Sequence, residues 1–355
     1  MCSRQFKWFA CGVGTVAIAF QSAVAQTSGS QVLTTRTPPG VHRLHSVAAR
    51  PVAHDGANSP GRLRPNPDGR VPILEYHLIA DSDSRWGRSW RHFRQDLEML
   101  YARGYRPVTV SQLLDRKLDI PPGTSPVVFT FDDASPGQFR YVEHDGQLEI
   151  DSTSAVGIWL AFHAEHPDWG NRATFCLLPA ASAGHAFFGD KGIQGQQTAW
   201  RMKKVKFLAD QGFELCDHTL WHADLAKYDD EVVQEQIARG EMAIDSAVPG
   251  YRVRTLALPL GVWPRNRALA QKGSWKDPKT GRVYRYDFDA ILEVSGGPNR
   301  SPNDPQFNPL QLHRVQVNGG ELERVLDVLD RTNTRYVAGS AAAPGAGAGA
   351  GAGHR

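Results

Sequence analysis

Runs of strand character alternate with segments of helical period along this chain. That alternation predicts an α/β protein built on a parallel sheet, barrel-like or open. Two further observations place its working edge. The run Val127-Val128-Phe129-Thr130-Phe131 stops at Asp132 and Asp133, so two carboxylates stand where a buried strand ends. A later run, Phe213-Glu214-Leu215-Cys216, passes into Asp217-His218 and reaches His222. In parallel α/β folds, ligands bind at the C-terminal edge of the strands.

The elements follow in order. Val71 to His77 reads as the first strand. Ser89 caps a helix with Phe93, Leu97 and Leu100 on one face, closed by Gly104. Val108 to Leu118 reads as a short helical piece, stopped by Pro121-Pro122-Gly123. After the Val127–Asp133 strand comes a connection of about forty residues, far longer than a βα loop needs. Its first part has hairpin character, with Asp145-Gly146 at the turn. It is compatible with one wall of a cleft and with a surface elaboration. Ala155 to Ala164 is helical, Ala173 to Leu178 a strand, and Thr198 to Asp210 a basic amphipathic helix with a solvated outer face. Asp229 caps a helix running to about Ala247. Strands are predicted at Arg254–Leu258, Phe288–Val294 and Leu310–Val317, and Glu321–Leu329 is a closing helix.

Flanking segments read differently. Arg4 and Lys7, the apolar run Trp8–Phe20 and the small residues Ala23-Val24-Ala25 have the form of an export leader spanning 1–25. The apolar run is too short for a comfortable membrane span, so no integral membrane segment is expected after cleavage. The chain is thus expected in a periplasm or outside the cell. Residues 26–70 form a Pro-, Gly-, Ser- and Arg-rich linker, 71–338 the folded domain, and 339–355 a Gly/Ala tail of low complexity. With 41% hydrophobic and 22% charged residues the chain is of ordinary globular composition. A net charge of +3, with Lys and Arg scattered, gives no case for nucleic acid. Cys176 and Cys216 remain after the leader, and both a disulfide and two buried thiols are compatible with their strand positions. Nothing fixes the oligomeric state.

His218 and His222, spaced i and i+4, are expected on one side of a helical turn, where they can chelate a cation. With a carboxylate from a neighbouring parallel strand they make a His, His, carboxylate set, which leaves a coordination position open as catalytic zinc sites do. Leu256-Ala257-Leu258-Pro259-Leu260-Gly261 is a strand that breaks on the same edge. Its Gly permits close backbone approach, and the N–H near Leu260 can serve an oxyanion. Nine Trp and thirteen His are a mild excess that suits a carbohydrate or metal site, and His185, Phe187, Phe188, Trp221 and Trp263 are lesser candidates there, each more readily read as a packing residue.

Thr-Phe-Asp-Asp at 130–133, Ala-Thr-Phe at 173–175, His-Thr-x-x-His at 218–222 and Leu-Pro-x-Gly at 258–261, in that order, resemble the NodB-type polysaccharide deacetylases of carbohydrate esterase family 4. Tyr76-His77 also fits, and the resemblance spans about Val71 to Ala338. It implies a distorted (β/α) barrel with about seven parallel strands and a divalent metal, zinc foremost, held by Asp133, His218 and His222. It further implies Asp132 as general base, the Leu260 N–H at the oxyanion, and His313, within Leu310-Gln311-Leu312-His313, as catalytic acid. The family commonly has an Arg where this chain has Ala257, which removes a charge that would tune Asp132. The activity implied is removal of N-acetyl groups from a polysaccharide of amino sugars. An O-acetyl esterase of xylan type and a catalytically silent carbohydrate-binding protein are the alternatives.

Overall fold

The computed structural model describes residues 63–180 and 187–339. The leader, residues 26–62 of the linker, His185 and the tail from residue 340 lie outside the described residues. Eight strands form one all-parallel sheet: β1 Ile73–Tyr76, β2 Tyr105–Val108, β3 Ser125–Phe131, β4 Thr174–Leu177, β5 Glu214–Asp217, β6 Thr255–Ala257, β7 Ala290–Leu292 and β8 Val315–Gln316. Their order is β7-β6-β5-β4-β3-β1-β8. β3 is long enough to serve two neighbours on one edge: β2 pairs Ser125–Val128, and β4 pairs Thr130 and Phe131. The ends of this order meet through one segment. Leu312 bridges Leu292 of β7, and three residues later Val315 pairs with Leu74 of β1. The result is the distorted (β/α) barrel expected.

Helices α1 Trp90–Ala102, α2 Val110–Leu114, α3 Ala155–Glu165, α4 Arg201–Asp210, α5 Asp230–Ala247, the single turn α6 Ala268–Gln271 and α7 Glu321–Arg331 complete the units. The caps are as read: Ser89 accepts from the His92 N–H, and Asp229 from the Val232 N–H. Side chains alternate across the sheet. Leu74, Phe129, Phe131, Phe175 and Leu215 join the large cluster that includes helix residues such as Phe93, Leu97, Trp159 and Ile237. Ile73, Val128, Cys176, Cys216, Ala257, Leu292 and Leu312 pack together as a second cluster, the filling of the barrel. Within it Cys176 and Cys216, directly opposed on β4 and β5, are joined as a disulfide.

Two expectations need correction. Tyr105–Val108 is a strand that the sequence reading missed. Pro107 argues against a central strand, but here β2 shares an edge, where Pro is tolerated. The last predicted strand is broken: Pro309–Gln311 is a 3₁₀ turn, and only Val315–Gln316 is regular strand. The basic helix α4 keeps its solvated outer face at Lys203, Lys206 and Asp210, while Lys204 on the inner side is buried, donating to Phe188 O at 3.1 Å and Gln196 Oε1 at 2.7 Å.

α5 passes directly over the end of β5. A Cβ at Gly240 would collide with Asp217 Oδ1, and that same oxygen accepts the Thr219 N–H at 2.7 Å. Gly240→Ala is therefore expected to destabilise the fold by about 1–3 kcal/mol through overpacking, read as a lower urea midpoint.

Candidate active site

Successive residues of a strand point to opposite faces, so Asp132 and Asp133 face one cavity only because the chain leaves strand geometry between them. Asp133 has φ 75° and Ala134 φ 49°, both left-handed. The start of the long connection fixes this turn. Gln138 Nε2 donates to the carbonyls of His77 at 2.6 Å and Asp132 at 2.5 Å, and the Phe188 N–H donates to Ala134 O at 2.6 Å. The hairpin itself, Tyr141–His144 with Gln147–Ile150, is absent from the described cavity lining. The connection braces the site rather than walling it.

His218 and His222 do not lie on a helical turn. Thr219 (φ 66°) and His222 (φ 64°) are left-handed, and this irregular loop brings the rings to 5.0 Å between centroids. A β-branched residue at positive φ is strained, and such strain gathers at functional sites. His218 is aimed by the Ala257 carbonyl, 2.9 Å from Nδ1. With that nitrogen donating, Nε2 faces Asp133 Oδ1 at 3.4 Å and is the ring nitrogen left to take a cation in place of its proton. His222 Nε2 is 3.6 Å from the same oxygen. One ligand atom from each of Asp133, His218 and His222 lies within 4.8 Å of the others. Buried His218 Nε2 has no hydrogen-bond partner, which is costly unless something occupies it. A carboxylate and two imidazoles whose ligand atoms converge this closely fit a divalent ion of zinc type.

Asp132 is clamped by a residue the sequence reading did not assign to it. Arg314 Nη1 and Nη2 donate to the two Asp132 oxygens at 2.8 Å each, and Nη2 lies 2.7 Å from Glu75 Oε1. Nη1 also donates to Thr130 Oγ1 at 3.1 Å and Nε to Glu293 O at 2.7 Å. Arg314 thus makes four hydrogen bonds, and Glu75 adds an ion pair on the same guanidinium. Arg314, Glu75 and Asp132 are buried. Burial works to raise the Asp132 pKa, but the charges of Arg314 and His218 overcome it and hold the carboxyl below its ordinary value. Glu75, more dependent on burial, is pushed up to about 7. The charge missing at Ala257 is supplied from the other side of the barrel.

His313 is not brought to this centre. Leu312 and Arg314 turn inward, so the alternation turns His313 outward, where Nδ1 sits 3.0 Å from Glu293 and the side chain is 40% exposed. The imidazole that does line the cavity is His77. Burial lowers its pKa, opposed by the charges of Asp132 and Asp133. Leu260 lies at the mouth with φ 58°, in a turn whose bonds run from Gly261 N–H to Leu258 and from Val262 N–H to Pro259. A Cβ at Gly261 (φ 65°) would press on Val294, so only glycine suits that position. Together His77, Leu78, Trp86, Asp132, Asp133, His218, His222, Leu258, Leu260 and Val294 line a cavity of about 410 Å³. Phe187 and Phe188 are core residues, and Trp263 turns away to donate to Glu293 at 2.8 Å. Trp221 is exposed but outside the lining.

A parallel barrel with an acid and histidine centre at its C-terminal mouth defines the class, a distorted (β/α) barrel. The polysaccharide deacetylase family model matches residues 168–273, the stretch that carries Ala-Thr-Phe, His-Thr-x-x-His and Leu-Pro-x-Gly. The BA0330 protein of Bacillus anthracis, assigned to the polysaccharide deacetylases, superposes with a TM-score of 0.51 at 18% identity, over 73% of this chain and 69% of that one. The deacetylase PplD of Streptococcus pyogenes, solved in complex with acetate, superposes with a TM-score of 0.50 at 16% identity, over 73% of this chain and 98% of that one. The chain has the fold of these deacetylases, and residues 168–273 match that family's model.

Burial works against a charge on His218, but Asp132 and Asp133 prevail and raise its pKa from 6.5 to about 9 in the metal-free protein. A raised folded-state pKa contributes stability that is complete below the unfolded value and is lost as pH rises through the folded one. Chelator-treated protein is therefore expected to lose stability between pH 6.5 and about 9 relative to His218→Gln, measured as the difference in urea midpoints.

Proposed function

We propose that this protein is an exported, metal-dependent hydrolase that removes N-acetyl groups from a polysaccharide of N-acetylated amino sugars. The observation that carries the reading is the convergence of Asp133, His218 and His222 beside an Asp132 that is held ionised by Arg314. Export rests on the residue pattern of 1–25. A divalent ion, zinc foremost, held by Asp133, His218 and His222 would supply Lewis acidity to the acyl carbonyl and acidify the attacking water.

The chain's own groups do the rest. Asp132 accepts the proton of the attacking water, and its bidentate clamp keeps the carboxylate aimed and charged. As water oxygen bonds to the acyl carbon, the Leu260 N–H stands at the mouth to donate to the developing oxyanion. The C–N bond then breaks, acetate forms, and the departing nitrogen takes a proton. We assign its delivery to His77 rather than His313: His77 lines the cavity, one of its ring nitrogens lies within 4.8 Å of an Asp132 oxygen, and it relays to the amine the proton that Asp132 took from the water.

The test is acetate release from N-acetylchitooligosaccharides and from O-acetyl xylan, with metal analysis of the purified protein. Asp132→Asn is expected to keep its metal and lose about 10²–10⁴ in kcat, the usual worth of a general base. His218→Ala is expected to lose both metal and activity. Release from xylan alone would make the protein an O-acetyl esterase, and release from neither would leave a binding protein. In the same assay His77→Ala is expected to cost about 10²-fold or more, and His313→Ala less than about threefold. The reverse order would return the acid role to His313.

A further inference from the structure

Trp86 stands at the mouth of the cavity with 44% of its surface exposed, although a side chain so large and apolar is ordinarily mostly buried. Its loop is not loose. Two residues on, Arg88 grips buried Asp96 through Nε at 2.9 Å and Nη2 at 2.5 Å, and Asp96 also accepts the Tyr76 hydroxyl at 3.1 Å. Asp83 accepts the Ser89 N–H at 2.6 Å, and the Leu78 N–H donates to the Trp86 carbonyl at 3.0 Å. An exposed indole on a loop braced this firmly is preorganised for something outside the chain. Its ring lies 5.2 Å from that of His77, which shares the cavity with Asp132 and Asp133. Leu258, Leu260 and Val294 supply apolar lining from the β6 and β7 loops of the same cavity.

We propose that Trp86 is the platform on which the sugar ring undergoing deacetylation stacks, so that it sets the preference for a pyranose over other acetylated compounds. The inference rests on the deacetylase reading above. A pyranose ring presents a face of C–H groups, and the negative π face of an indole attracts such polarised hydrogens while burying apolar surface on both partners. The cavity, about 410 Å³, is toward the small end of ligand pockets, which run from roughly 300 to 1,000 Å³. That size suits one ring with its acyl group at the carboxylates. Arg85 lies with its guanidinium carbon 5.1 Å from the Trp86 ring centroid, a contact between two exposed side chains that a sugar face can displace.

Binding and turnover are separated by working in the inactive Asp132→Asn protein, titrated calorimetrically with the N-acetylglucosamine pentamer in the presence of zinc. Adding Trp86→Ala is expected to weaken the dissociation constant about tenfold, and Trp86→Phe to retain most of the affinity. In the otherwise wild-type enzyme Trp86→Ala is expected to act mainly through KM, with metal content unchanged. Equal affinity of the Ala and parent proteins would overturn the proposal, as would equal weakening by Ala and Phe. Absence of saturable binding in the parent would overturn it too. Acetate release by wild type alongside any of these results would leave the deacetylase reading standing without Trp86. No release from any acetylated glycan would remove that reading itself.

Discussion

The mouth of this barrel depends on one wholly buried guanidinium. Arg314 belongs to the segment that joins the two ends of the sheet, and its side chain crosses the interior to Asp132 on the far strand. Burying an arginine and two carboxylates carries a large desolvation cost, which is offset only when every donor finds an acceptor in good geometry. Four hydrogen bonds and the Glu75 ion pair meet most of that condition here, and the consequence is positional. The clamp ties β3 to the β7–β8 seam, so closure of the barrel and alignment of Asp132 are the same event. Removing one partner of such a set would leave an unpaired buried charge, worth about 3–5 kcal/mol.

The loops complete what the clamp begins. Strand geometry alone would send Asp133 away from Asp132, and helix geometry would hold His218 and His222 in a different relation from the one seen. Left-handed residues at Asp133, Thr219, His222 and Leu260 redirect the chain at each of these points. Braces compensate: Gln138 stitches two carbonyls, Asp217 holds the Thr219 N–H, and Gly240 makes room for Asp217.

Most of the barrel could be read from the chain because its signals are local. Val127–Phe131, Ala173–Leu178 and Phe213–Cys216 are short β-branched or aromatic runs, and Ser89 and Asp229 announce the helices behind them. The acid pair and the histidine pair were visible as motifs for the same reason. What escaped was everything fixed by neighbours distant in sequence. Tyr105–Val108 pairs only because β3 is long, and Pro107 concealed it. Arg314 was visible next to His313, but a period of two decides which of them enters the barrel, and the broken strand around Leu312 obscured its phase. Trp86 carried no motif, since its place follows from a tertiary brace at Asp96. The sequence left the pairing of Cys176 with Cys216 open, because only the register of β4 against β5 sets them opposite each other.

The left-handed residues at the mouth bear on how this protein responds to engineering. Glycine or asparagine at Thr219, or at Leu260, would relax the backbone, and a screen for thermostability alone would favour such changes. The same relaxation would release the angles that aim His222 and the Leu260 N–H. Around this cavity, gains in robustness and changes in the placement of His222 and the Leu260 N–H are coupled through the same few torsions, so consensus-style stabilisation belongs on the outer helices instead.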